Sequence, residues 1–419
     1  MKQELGWYAV NNIRFTNKIL AILEAQKTKA DIEWHFHDNV FKKASWKIEP
    51  NESLAELYKK RALQIREKYD YVILMCSGGA DSTNMLYSFL HNGIKVDEVI
   101  AEIPMSGLSN WQWNTTDTSA VNTASEYKFA QLPLMHEIAT KYPDIKTTIL
   151  DPFEKMFNPK GDDWLLDCQD IINPYTGHRG RMDDLHYIKN MAESGKRIAV
   201  VMGTDKPILA EVDTPDGKRV ISIFSDMPIN LPKQATREGH DNVDRVLFYW
   251  THEMPELVVK MSHVAARAVY SKENSHLYRA MLDMKKNNTV PENVEYSKDI
   301  MLDKIINSYD RNYNPSNEKK YNAFSVYERG IVPYIYPTTY NPNLWQADKM
   351  NTGQTFLSDN QDWFRILHSG TKAMQIIESD FKHLYNLIDP KYMNNKKTGF
   401  MRFLKAYIIG EPNNFKEKE

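Results

Sequence analysis

Six consecutive residues, Ser77-Gly78-Gly79-Ala80-Asp81-Ser82, carry the most specific chemistry in this sequence. Paired glycines let a backbone turn sharply and approach an anion closely. The N–H groups that open a following helix, together with the helix dipole, favour negative charge. Ser77 and Ser82 add hydroxyl donors. Asp81 belongs beside phosphates only if a cation lies between them, which assigns it to Mg²⁺. The sequence has no GxxxxGK[ST] string, so the lysine that supports γ-phosphate transfer in a Walker loop is missing from this one. A tight strand-to-helix turn would explain two glycines alone. The full hexapeptide between an apolar run and a helical pattern favours phosphate binding.

A second loop, Met202-Gly203-Thr204-Asp205-Lys206-Pro207, follows another apolar run. Ends of neighbouring strands in a doubly wound sheet meet in one crevice, so this loop is expected to face the first. Lys206 then supplies the cation that the first loop lacks, and Asp205 joins Asp81 on Mg²⁺. The competing reading is a Gly-Thr-Asp turn with a solvated lysine. Glu102, at the end of the second predicted strand, is a candidate for the ribose or adenine, or simply an exposed loop residue. The candidate catalytic residues are therefore Asp81 and Lys206. The candidate nucleotide-binding residues are Ser77, Gly78, Gly79, Asp81, Ser82, Glu102, Gly203 and Asp205.

Weaker signals lie elsewhere. His178-Arg179-Gly180-Arg181 can clamp phosphate or form a solvated basic turn, and Lys396-Lys397 with Arg402 reads as a solvated patch. Trp250-Thr251-His252-Glu253-Met254-Pro255-Glu256 can border a substrate pocket. Trp34-His35-Phe36-His37, and His252-Glu253 with His263, show neither HExxH nor finger spacing, so no metal is expected on them. Cys76 reads as a small buried residue.

The elements that must hold the two loops are legible as changes of period. Ser53-Leu54-Ala55-Glu56 is a capping box, and Leu54, Leu57, Tyr58, Ala62 and Ile65 keep helical spacing to Lys68. Tyr71-Val72-Ile73-Leu74-Met75 is a continuous apolar run of strand length, after which Met85, Leu86, Phe89 and Leu90 resume helical spacing until Gly93. Further strands are predicted at 96–103, 146–150 and 197–202, with helices at 127–142 and 183–194 and an irregular stretch at 152–180. The alternation predicts an α/β fold with a doubly wound parallel sheet over about 55–230. We divide the chain into an N-terminal extension (1–54, with a short helix near 17–26), an ATP-binding domain (55–242) and a mainly helical domain (243–419). In the last, 243–285, 297–309 and 370–388 read as helices around a Tyr/Asn/Pro-rich stretch at 310–360.

On these residues the chain resembles the N-type ATP pyrophosphatases, the PP-loop superfamily, whose SGGxDS signature Ser77–Ser82 matches. That group includes asparagine, GMP and argininosuccinate synthetases, QueC-type synthases, tRNA-lysidine synthetase, tRNA thiolases and PAPS reductases. The architecture looks most like the asparagine-synthetase-related or PAPS-reductase-like proteins often encoded by bacteriophages. The resemblance spans about 55–230 and implies an adenine-nucleotide α-hydrolase-like fold with ATP across the carboxyl ends of the strands. It also implies cleavage between the α- and β-phosphates with transient adenylation of a substrate. Three departures disfavour the usual forms of several relatives. Residue 2 is Lys where glutaminase-bearing relatives place a nucleophilic Cys, paired cysteines are absent, and no Cys follows Cys168.

Bulk properties bound the rest. With 42% hydrophobic and 26% charged residues the 419-residue chain has an ordinary globular balance. A net charge of −2 gives no global basic field for nucleic acid. Two cysteines, Cys76 and Cys168, exclude a disulfide scaffold, a four-cysteine zinc site and a cysteine-ligated iron–sulfur cluster. Neither a signal-peptide core nor a run of about 18 apolar residues is present, so a cytoplasmic protein without membrane contact is expected. The expected activity is ATP cleavage to AMP and pyrophosphate, activating a carboxylate, amide or carbonyl for ammonia or an amine. Open alternatives are a PAPS-reductase-like or sulfur-transfer enzyme, a nucleic-acid base-modifying enzyme, and a non-catalytic nucleotide-binding module. The acceptor, a small molecule or a nucleic-acid base, and the oligomeric state stay open.

Overall fold

The structure, a computed structural model, describes residues 6–16, 18–103, 118–119, 130–151, 185–204, 206–226, 242–285, 323–338, 351–352 and 403–416. Its first elements are β1 (Trp7–Val10), β2 (Ile13–Phe15), α1 (Lys18–Thr28), β3 (Glu33–His35), α2 (Asp38–Phe41) and α3 (Leu54–Lys68). Then come β4 (Tyr71–Met75), α4 (Ala80–Leu90), β5 (Glu98–Glu102), β6 (Thr118–Ser119), α5 (Leu132–Lys141), β7 (Lys146–Leu150), α6 (His186–Glu193) and β8 (Ile198–Met202). The remainder is β9 (Ile208–Thr214), β10 (Gly217–Ser225), β11 (Val243–Leu247), α7 (Glu256–Tyr270), α8 (Ser275–Lys285), α9 (Ala323–Ile335), β12 (Asn351–Thr352) and β13 (Leu404–Gly410).

Five strands form one all-parallel sheet, in the order β11-β8-β4-β5-β7. Both faces of its central strands β4 and β8 are covered, which is why those two are apolar throughout. Val72, Leu74, Ala199 and Val201 pack with Met85, Leu86 and Phe89 of α4 and with Leu57 and Ile65 of α3. Ile73, Ile100 and Val200 pack on the other side with Ile188 and Ala192 of α6. The chain runs outward from β4 through β5 to β7, then crosses back to add β8 and β11. Strand order therefore reverses between β4 and β8, and the loops leaving those two strands flank a single crevice. Their register, Met75 opposite Met202, brings both loops out at the same height. Helix α3 opens with the anticipated box, the Ser53 amide donating to Glu56 Oε2 at 2.8 Å and the Glu56 amide to Ser53 Oγ at 3.2 Å.

Several expectations need correction. Helix does not begin at 243: Val243–Leu247 is β11, paired in parallel with β8 from Val243–Ile198 to Leu247–Met202, and helix resumes only at Glu256. Asp244 and Arg245 break the apolar run there and hide the strand. The Tyr/Asn/Pro-rich stretch contains α9, whose Tyr327, Ile331 and Ile335 recur every fourth residue and are buried. Strands β9, β10 and β13 form an antiparallel sheet that no period had indicated, with β10 in the centre. Near the N-terminus, β2-β1-β3 form a small antiparallel sheet, and Tyr8, Trp34, Phe36 and Phe41 join the main core. The helices expected at 297–309 and 370–388 lie outside the described residues.

Candidate functional site

The first loop is shaped by its neighbours. Beyond β4 the Cys76 amide still donates to Ile100 O, at 2.8 Å. Gly78 then turns with φ of 75°, and a Cβ there would lie 2.7 Å from the Gln131 backbone nitrogen, so the position admits only glycine. Gln131 itself, which nothing in the sequence singled out, is buried and donates from Nε2 to Cys76 O at 2.8 Å. Gly79 caps α4 without a side-chain cap. The first-turn amides of α4 have no intrahelical acceptors by their position, which leaves them for an anion. The two serines differ. Ser77 is exposed at the loop surface, whereas Ser82 is 5% exposed. The Ser82 hydroxyl donates to Gly79 O at 3.1 Å and accepts from the Ser77 amide at 3.2 Å, so it braces the loop.

The second loop lies directly against the first. A Cβ on Gly203 would come within 2.9 Å of Asp81 O and 3.0 Å of Ser82 Cα. Lys206, only 8% exposed, places Nζ 3.1 Å from Asp81 Oδ1 and 3.0 Å from Oδ2. The two candidate catalytic residues are thus brought together as an ion pair. Thr204 Oγ1 is buried and has no hydrogen-bond partner among the described residues. Asp205 lies outside those residues.

Two tyrosines complete the surroundings of Asp81, and neither was foreseen. Tyr336, just past α9, donates its hydroxyl to Asp81 Oδ1 at 2.5 Å. Tyr249 donates to the Asp81 backbone carbonyl at 2.7 Å and accepts from Asn84 Nδ2 at 3.0 Å. Their rings stack at 5.8 Å. Burial first, then the Asp81 charge, raises the Tyr336 hydroxyl well above the usual phenol range and keeps it a donor. Tyr249 is held from behind by Arg61 of α3, which donates to Leu247 O at 2.8 Å and to Phe248 O at 3.3 Å. Reading 243–247 as a strand would have pointed to Tyr249 as a strand-end residue. No local signal marks Tyr336.

Other candidates are placed less centrally. Glu102 ends β5, two residues beyond the Ile100 that pairs with Met75, and so stands at the same edge of the sheet as the phosphate loop. Trp250 belongs to the core, stacked 4.4 Å from Phe224. Glu253 turns toward α3, where it accepts from Arg61 at 2.8 Å and Lys68 at 2.7 Å. Glu253, Met254 and Glu256 line a cavity with Lys60 and Gln64 of α3, while Tyr249, just before this string, is the residue that reaches Asp81. His37 and His252 stack at 4.1 Å and 18°, and among the described residues no group of three His, Cys, Asp or Glu is arranged for a metal. A nucleotide-borne Mg²⁺ asks less, one or two carboxylates with phosphate and water oxygens, and Asp81 fits that demand. Burial pushes the Cys76 thiol up to about 12. Residues 178–181, Lys396, Lys397, Arg402 and Cys168 lie outside the described residues. No helix among the described residues is long and apolar enough to cross a membrane. No family model, curated protein or solved structure matches the chain.

Proposed function

We propose that this chain is an ATP-dependent adenylating enzyme that releases AMP and pyrophosphate. The observation that carries the reading is the meeting of two loops at the reversal of strand order. A glycine turn opens a helix there, with Gly203 against its backbone and Lys206 on its one carboxylate. In this reading the α4 amides and Ser77 grip the nucleotide phosphates, and Gly203 lets the second loop close on them. Asp81, with Asp205, would hold Mg²⁺, which when bound neutralises phosphate charge. An acceptor oxygen attacks the α-phosphorus while the bond to the β-phosphate breaks, and pyrophosphate leaves toward the Lys206 ammonium. Ammonia or an amine then displaces AMP from the adenylate and loses a proton. Catalysis comes from positioning and charge neutralisation, without a protein nucleophile. A sulfur-transfer role for Cys76 is opposed by its burial and its protonated thiol at neutral pH.

The test is to follow α- and γ-labelled ATP with Mg²⁺ and an extract of small molecules and nucleic acid, beside Asp81→Ala. AMP and pyrophosphate are expected from the wild type and lost in the variant. Release of ADP and phosphate would overturn adenylation, and ATP that binds but survives would leave a nucleotide-binding module.

A further inference from the structure

We propose that α9 reaches into the phosphate site as a positioning element, its Tyr336 hydroxyl holding the Asp81 carboxylate in the direction that nucleotide-bound Mg²⁺ requires. The proposal rests on the ATP reading above and assigns that site a residue from the far half of the chain.

Asp81 has two competing claims on it. Lys206 bridges both carboxylate oxygens from the second loop. Arriving phosphates attract the same ammonium, and a carboxylate held by Lys206 alone would follow it or rotate. Tyr336 is a neutral donor that phosphate does not attract, and it is fixed. Its ring is 1% exposed and stacked on Tyr249. The carbonyl just before it, Ile335 O, accepts from the Tyr58 hydroxyl at 2.6 Å. Helix α9 also touches the start of β9, the strand that follows the second loop, since Tyr327 Oη accepts from the Leu209 amide at 3.0 Å, three residues beyond Lys206. The segment Tyr327–Tyr336 thus meets both Asp81 of the first loop and the strand that leaves the second. Packing alone does not ask for the hydroxyl, because phenylalanine would fill the same volume.

Tyr336→Phe removes only that hydroxyl. Tyr270→Phe removes a buried hydroxyl that donates to Glu211 Oε2 at 2.8 Å and takes no part in holding Tyr336, and it serves as the packing control. Binding of α,β-methylene-ATP is measured by calorimetry over a Mg²⁺ series. In Tyr336→Phe the Mg²⁺ needed for half-maximal binding is expected to rise by about tenfold to a hundredfold, the size of one hydrogen bond to a charged group. Nucleotide affinity at saturating Mg²⁺ should change by less than about twofold, as a positioning role predicts. Tyr270→Phe should lower the melting temperature and leave the Mg²⁺ requirement where it was. An unchanged or lowered requirement in Tyr336→Phe, or an equal rise in both variants, would overturn the proposal. Failure of the wild type to bind the analogue in Mg²⁺ would overturn the ATP reading, and the proposal with it.

Discussion

His37 holds a left-handed φ of 45° and stacks on His252, and burial, then the neighbouring imidazole, draws its pKa down from 6.5 to about 4. The unfolded chain therefore takes up this proton first, and stability falls as pH drops from 6.5 toward 4 and levels off below. Between pH 6.5 and 5 the loss traceable to His37 is about 2 kcal/mol. Burial also lowers His252 and His263, so they add to the same slope. Replacing His37 by Asn, which tolerates the left-handed backbone and does not titrate, should flatten but not abolish the slope. Urea midpoints at pH 7 and pH 5 measure it. Among single residues, legibility follows sequence distance. The roles expected of Ser77–Ser82 depend on chain neighbours, and the turn can be read from them. Tyr249 and Tyr336 reach Asp81 across 168 and 255 positions, and nothing near either tyrosine shows where it lands.

At the scale of elements, the close approach of the two loops depends on the absence of one methyl group. Gly203→Ala would set a Cβ within 3.0 Å of the Asp81 and Ser82 backbone, atoms that cannot swing aside. The loops would have to separate, at about 1–3 kcal/mol of stability. Nucleotide binding should weaken by about tenfold or more, since the α4 amides would lose their opposing wall; equilibrium unfolding and nucleotide titration of the one variant test both. The elements themselves were legible where periodicity was undisturbed. β4 and β8 were found because a strand buried on both faces has no polar face to interrupt it. β11 was not, because Arg245 is buried within the strand, and a charged residue in an apolar run reads as a break. Strand β13 was missed for a different reason: its sheet partner β10 is remote in sequence, and pairing leaves no mark on either strand alone.

At the scale of the whole molecule, distant parts of the chain meet at one buried carboxylate. Asp226 Oδ2 receives Lys18 Nζ at 2.9 Å and the Tyr8 hydroxyl at 2.8 Å, and Oδ1 accepts from the Phe403 amide at 3.2 Å. Lys18 and Asp226 are both buried. Lys18→Met keeps the volume but leaves the carboxylate without its counter-charge, at about 3–5 kcal/mol. A loss of unfolding free energy of that size is expected in urea titration, read as a lower midpoint at unchanged slope. The same junction orders events during synthesis. Phe403 is made 177 residues after Asp226, an interval on the order of ten seconds on a ribosome. Through that time β10 has β9 on one side and an open edge on the other, an invitation to other chains. The nascent chain thus carries its candidate phosphate loop long before the strand that covers β10, and shielding that edge in the interval guards against pairing with other chains.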